Sequence, residues 1–398
     1  MIRIVTKRRQ CTIALFFICL LLSISFIPHA HADGGAPNLA YVSGTSPGVS
    51  VIDVGQAKVT KTISVAGDPH TILLSQDGGL LYVSQPALGR VSIIIASTGR
   101  IFCTTHLPGE PSLLAIDPDM NILYAAGSGS AQVTALDPTN CKILNTFGVN
   151  GPIYGLAVAL TSGSSLNGSV SNQLWVASTG ELTIFDAQTY QTLGTVPFPG
   201  GPQHLSIPPG ETVYVTTRQG SVDAVSLKTR EVRQILNGGI FGTMDYDALT
   251  GEVYVPDEQH QELIVLSPVD IGVSAIPTEP ERVIHTPGVP GSVAITSDGL
   301  LGFIALREGQ VAMLDLIEHR LVYTIDVGGT PHFIITGLYP PPVLDTPAPA
   351  NNAASSQQTT IPRMLWVIVF FASLFTIIVV TMILVWQLRQ SLKAEHRQ

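Results

Sequence analysis

Positive charge is scarce in this chain: only 20 of 398 residues are Lys or Arg. Four of these precede residue 33 and four follow residue 362, so 12 serve the long middle segment, against 28 Asp and Glu. The net charge there is near −16. A surface this acidic repels phosphate backbones and lacks the basic stripe of a nucleic-acid binder, so no nucleic-acid partner is expected. Cysteine is equally sparse. Cys11 and Cys19 lie in the first 32 residues, leaving Cys103 and Cys141 as a pair that either bonds in an oxidising compartment or stays as two buried thiols. Of three tryptophans only Trp175 lies in the middle segment, which removes the repeated indoles that surround a quinone cofactor, and no cofactor is expected. There is no His-Glu-x-x-His, no Cys-x-x-Cys and no phosphate loop, so the usual zinc-protease, dithiol and nucleotide chemistries have no residues to use.

What is abundant is apolar sequence at the two ends. Residues 1–32 read as a secretory signal: Arg3, Lys7, Arg8 and Arg9 precede an uncharged apolar run over 11–27, followed by the small-x-small site Ala30-His31-Ala32. An uncleaved signal anchor is the alternative. Near the other end, the 25 residues 364–388 carry no formal charge, more than the roughly 20 a helix needs to cross hydrocarbon. Trp366 and Trp386 sit near its two ends, where amphipathic rings favour the lipid–water boundary. A transmembrane helix is therefore assigned to 363–388, with a cytoplasmic tail over 389–398 marked by Arg389, Lys393 and Arg397. The segment 339–362, rich in Pro, Ala, Asn, Ser, Gln and Thr, reads as a stalk. The predicted location is the cell membrane, single-pass, with residues 33–338 outside.

Between these ends the chain repeats itself. Tyr41, Tyr82, Tyr124, Trp175, Tyr214, Tyr254 and Phe303 each stand among small or β-branched residues, at spacings of 41, 42, 51, 39, 40 and 49. A period of about 40–50 with short strands and Gly, Pro and Asp turns is the sign of a β-propeller. Four strands can be read in each period: A after a proline (Pro69, His70 onward), B around Tyr82, C over 49–53, and D over 59–65 with period-two alternation. The runs Leu81-Tyr82-Val83, Val49-Ser50-Val51-Ile52-Asp53, Thr62-Ile63-Ser64-Val65 and Pro69-His70 resemble those of the YVTN-type repeat family. The resemblance covers about 38–338, is weaker from 150 to 290, and implies an all-β, seven-bladed propeller.

The chain opens with strands B, C and D at 39–65 and closes with a lone strand A from Pro331. Seven complete blades result if that last strand joins the first three. Because successive strands are antiparallel, A–B and C–D turns share one face, and B–C and D–A turns share the other. Both ends of the propeller then fall on the A–B face, which is predicted to look toward the membrane. Two insertions, 161–173 in an A–B loop and 267–280 in a C–D loop, fall on that same face and read as tolerated loop growth or as a partner surface. Asn167-Gly168-Ser169 fits a glycosylation sequon.

Three histidines follow prolines at the starts of inner strands: His70, His332 and, two residues after Pro202, His204. Imidazoles around one channel mouth suit a metal, although Pro-His also belongs to the family's repeat and can serve structure alone. The B–C loops carry Arg218, Asp257, Glu258, His260, Arg307 and Glu308, a mixed-charge set suited to recognition. Asp117-Pro118-Asp119-Met120-Asn121 imitates a calcium loop, but occupies a turn filled elsewhere by Gln76-Asp77-Gly78, and turn chemistry explains it. The reading that follows is a membrane-anchored extracellular module that binds a protein, peptide or glycan through its distal face, with His70, His204, His332, Arg218, His260 and Arg307 as candidate ligand contacts. The alternatives are a lactonase-type propeller enzyme and a metal-binding propeller using the channel-mouth histidines.

Overall fold

The computed structural model describes residues 38–161, 171–272, 277 and 279–337. The chain divides into two compact units, Met1–Leu344 and Asp345–Gln398, and every described residue lies in the first. The signal at 1–32, the sequon at 167–169, the stalk, the 363–388 run and the tail lie outside the described residues. Among those described, no helix is long and apolar enough to cross a membrane.

Seven four-stranded antiparallel sheets form the blades. The inner strands, in blade order from the closing blade, are Phe333–Gly337, Ile72–Leu74, Leu113–Asp117, Ile153–Ala159, Pro202–Ser206, Asp245–Tyr246 and Pro290–Ile295. The first blade is completed as expected: Phe333–Gly337 pairs with Leu39–Thr45, which pairs in turn with Gly48–Asp53 and Lys58–Ser64.

Burial follows the layering. Leu39–Thr45 is buried at every residue and Gly48–Asp53 at all but the last, because a middle strand is covered by a neighbouring blade on each face. The outer strand Lys58–Ser64 is largely exposed and buries little beyond Ile63, as a rim strand must. Alternate side chains of one strand therefore enter two different cores: Tyr41 packs with Ile72 and Leu81 of the second blade, while Ala40 and Val42 pack with Phe303 and Val311 of the seventh. The seven repeated aromatics are the seven largest fully buried side chains among those described. Each acts as the wedge of its blade.

Turn chemistry is repeated too. The Asp ending a third strand caps the next turn: Asp137 Oδ1 accepts from the Thr139 N–H at 2.9 Å and Asp315 Oδ1 from Ile317 at 3.0 Å. The residue before the outer strand is then left-handed, and in the third blade this residue is Cys141 (φ 60°). Its sulfur is bonded to Cys103 on the outer strand Arg100–His106 of the second blade, with 6.0 Å between the Cα atoms.

Both insertions are anchored at the A–B face. Val269 and Ile271 are buried in the core around Tyr214, Phe241 and Met244, and the Val269 N–H donates to the Tyr214 hydroxyl at 2.9 Å. From the other insertion, the Asn172 amide bridges Asp117 (2.9 Å) and Asp119 (3.0 Å). Their described ends are therefore part of the packing, beyond simple loop growth.

Candidate functional site

At the D–A end of the channel, two copies of the repeat lie side by side. Gly67-Asp68-Pro69-His70 belongs to the second blade and Gly329-Thr330-Pro331-His332 to the first. Each histidine N–H donates to a serine carbonyl on the adjacent strand of its own blade: His70 to Ser84 at 3.1 Å and His332 to Ser43 at 3.0 Å. Equivalent anchoring brings the imidazoles together, stacked with centroids 4.2 Å apart and planes tilted by 26°. Gly44 makes this possible. At φ +76°, a Cβ there would stand 2.6 Å from His332 Cδ2 and 2.3 Å from the Thr330 carbonyl oxygen.

The third member of the cluster is Asp68. Its carboxylate lies 3.1 and 3.2 Å from His332 Nε2 and 3.9 Å from His70 Nε2. One ligand atom from each of Asp68, His70 and His332 lies within 4.8 Å of the others. Burial lowers the proton affinity of His70, the neighbouring His332 lowers it further, and Asp68 partly opposes both. Sequence reading did not find Asp68; the available signal was that it replaces the Thr330 of the other copy.

His204 does not join this pair, which corrects the expected trio. Its backbone N–H donates to Thr216 Oγ1 at 3.1 Å, and its Nδ1 lies 3.4 Å from Thr243 Oγ1. Although its side chain keeps some surface toward the channel, protein surrounds it. That burial, with Arg307 adding positive potential, pushes its pKa down to about 4, so it is neutral at ordinary pH. A cavity of about 560 Å³ runs along the channel and is lined in part by His70, His332, His204, Tyr154, Glu258 and Arg307.

Arg218 and His260 do not line it. The Arg218 guanidinium instead lies over the Tyr154 ring, 4.6 Å from its centroid. His260 Nδ1 lies 2.7 Å from the buried Asp257 carboxylate, which raises its proton affinity. Arg307 pairs with Glu258 across the sixth and seventh blades, and Glu308 accepts the Val289 N–H at 3.1 Å. The B–C loops thus present charged side chains that already have partners within the protein, two sets of them ion pairs.

A second group that sequence reading missed is Asp245. The inner strand of the sixth blade has only two residues, and the segment before it leans on the seventh: Thr243 donates to the Gly291 carbonyl at 3.0 Å and Asp245 Oδ2 accepts from Ile295 at 2.7 Å. Burial raises the Asp245 pKa to about 6. Asp117 meanwhile caps its own turn by accepting from the Asp119 and Met120 N–H groups, as the turn reading requires. The one Gly-x-Ser-x-Gly spacing in the described residues, Gly44 to Gly48, is a hairpin between two strands, whereas a nucleophile elbow joins a strand to a helix.

No protein-family model matches this chain, and no curated protein sequence matches it. Solved structures do. A protein from Lactobacillus plantarum is 13% identical over 75% of this chain and 99% of its own, with a TM-score of 0.63. A functionally unknown protein from Desulfotomaculum acetoxidans is 12% identical over 76% of this chain and 99% of its own, with a TM-score of 0.62. Kuenenia stuttgartiensis hydrazine synthase is 17% identical over 69% of this chain and 91% of its own, with a TM-score of 0.56. At these identities the likeness is one of fold alone.

Proposed function

We propose that this seven-bladed propeller is an exported, membrane-anchored binding module of the YVTN-repeat type, which takes a protein, peptide or glycan on the face formed by its D–A and B–C loops. One observation carries the reading. Leu39 and Gly337, where the described chain enters and leaves, are paired at the A–B end, while Asp68, the two histidines and the Glu258–Arg307 pair stand at the opposite end. Since the described chain leaves the propeller at Gly337 on the A–B face, the proposed anchor is reached from that face and the polar face is the one offered to a partner. The paired charges support recognition, since pre-ordered side chains lose little entropy on binding.

The test uses the full chain in detergent or vesicles on glycan and peptide arrays. Glu258→Gln and Arg307→Gln should weaken capture at least roughly tenfold, the scale of a desolvated charge pair. Lys228→Gln and Glu211→Gln, on A–B and C–D turns, should leave it unchanged. Capture that ignores the first pair and follows the second would refute the orientation. A lactonase-type enzyme is the second reading, favoured by the Asp68, His70 and His332 cluster at the starts of inner strands. Turnover in a lactonase and hydrolase screen run with divalent metals would replace the binding reading.

A further inference from the structure

We infer that Asp68, His70 and His332 form a site for a borderline divalent metal of the zinc type, which fastens the closing strand of the ring to the second blade. The inference is independent of what the distal face binds.

The donor set selects the metal class. Two imidazole nitrogens and one carboxylate suit Zn²⁺, Co²⁺, Ni²⁺ or Fe²⁺, whereas Ca²⁺ and Mg²⁺ favour all-oxygen shells. Bonds of about 2.0–2.2 Å at tetrahedral angles put donor atoms roughly 3.3 Å apart. The Asp68 to His332 separations, 3.1 and 3.2 Å, already meet that requirement. His70, at 3.9 Å from the carboxylate and with all three donor atoms within 4.8 Å of one another, reaches it by drawing toward the carboxylate and opening the 26° ring tilt. Three protein ligands leave at least one position open, and both histidines line the channel cavity.

Comparison of the two repeat copies separates this reading from a structural one. Pro-His explains both histidines, because both N–H groups make the same hydrogen bond in their own blades. It does not explain Asp68. A left-handed acidic residue before the proline recurs in the third blade as Glu110 (φ 53°), but the Asp68 carboxylate (φ 47°) is directed across the blade boundary to a residue 264 positions away. His332 enters from the last strand and Asp68 and His70 from the second blade, so a metal there bridges the seam where the ring closes.

A metal that binds only the folded ring stabilises it by mass action. The experiment takes the untagged full chain in detergent, strips it with chelator, and titrates Zn²⁺ and Co²⁺ with elemental analysis, Co²⁺ absorption and thermal melting. The expected result is one equivalent per chain, a Co²⁺ d–d spectrum and a raised melting temperature. His332→Gln and Asp68→Asn should each weaken binding at least roughly tenfold. Asp68 is mostly exposed, so its variant folds even if the His332 variant does not. His204→Gln should leave uptake unchanged. Failure of the stripped protein to take up either metal, or uptake that survives Asp68→Asn undiminished, overturns the inference.

Discussion

Leu39 and Gly337 face each other across one antiparallel ladder, the first and last described strands of the chain lying side by side. Four further pairs follow in register, ending at Ser43 and Phe333. The ring is therefore closed by a strand that arrives nearly three hundred residues after its partner, and until it docks the first and second blades lack part of their shared core. Ile334 is buried against Ala40 and Val42, and Phe333 and Ile335 pack on the other face with Tyr41.

A chain 33–330, lacking this strand, should be less stable than 33–337 by more than about 3 kcal/mol, the scale of one large core truncation. Trp175 is the only tryptophan in that span and is fully buried, so its fluorescence in urea reports the loss directly. Equal midpoints for the two chains would mean that the ring stands without its closing strand.

The Cys103–Cys141 bond ties the outer edges of the second and third blades across 38 positions of chain. A loop of that length is worth about 4 kcal/mol of chain entropy, and native strain usually lowers the figure toward 2. The double variant Cys103→Ser, Cys141→Ser should melt earlier and lose all sensitivity to reductant, while the parent should approach it when reduced. A parent indifferent to reductant would show that the bond adds no stability.

Much of this fold was legible because a propeller writes its period into the chain. The seven aromatics each fill the same buried place in a blade, so their spacing alone counted the blades, and the terminal strands told how the ring closes. The site was less legible, for a physical reason. His70 and His332 carried a local Pro-His signal, but the significance of Asp68 depends on a neighbour 264 positions away that only the closed ring brings near. His204 shared the local signal and went elsewhere, since it pairs with Thr216 and faces Thr243. Asp245 was invisible because its inner strand is two residues long and leans on the next blade. Arg218 and His260 were rightly read as loop residues, yet their side chains settle on Tyr154 and Asp257 and do not themselves line the cavity.

Gly44 and Gly180 form a natural control pair. Both sit at φ +76°, but a Cβ on Gly180 meets nothing within 4 Å, whereas one on Gly44 meets Thr330 O at 2.3 Å and His332 Cδ2 at 2.6 Å. Gly180→Ala should cost only the left-handed backbone term, about 1–2 kcal/mol. Gly44→Ala should cost that and the displacement of the closing segment, at least about 1 kcal/mol more. Matching urea midpoints for the two variants would show that the segment yields freely.

His204 and Asp245 should give stability two opposed dependences on pH. His204 takes a proton near 6.5 when unfolded and only near 4 when folded. Between those values the unfolded state holds more protons, so this contribution is present above pH 6.5 and lost as the pH falls. Asp245 ionises near 3.8 when unfolded and near 6 when folded, so there the folded state holds more protons and stability falls as the pH rises. Each effect is on the order of 3 kcal/mol, and they largely cancel between pH 4 and 6. Asp245→Asn removes one arm: relative to the parent it should gain stability as the pH rises from 4 to 6. His204→Gln should show the reverse, gaining on the parent as the pH falls from 6.5 to 4.5. Taking differences from the parent at each pH removes the contribution of every other carboxylate. Parallel pH curves for all three proteins would show that neither group is held as its burial requires.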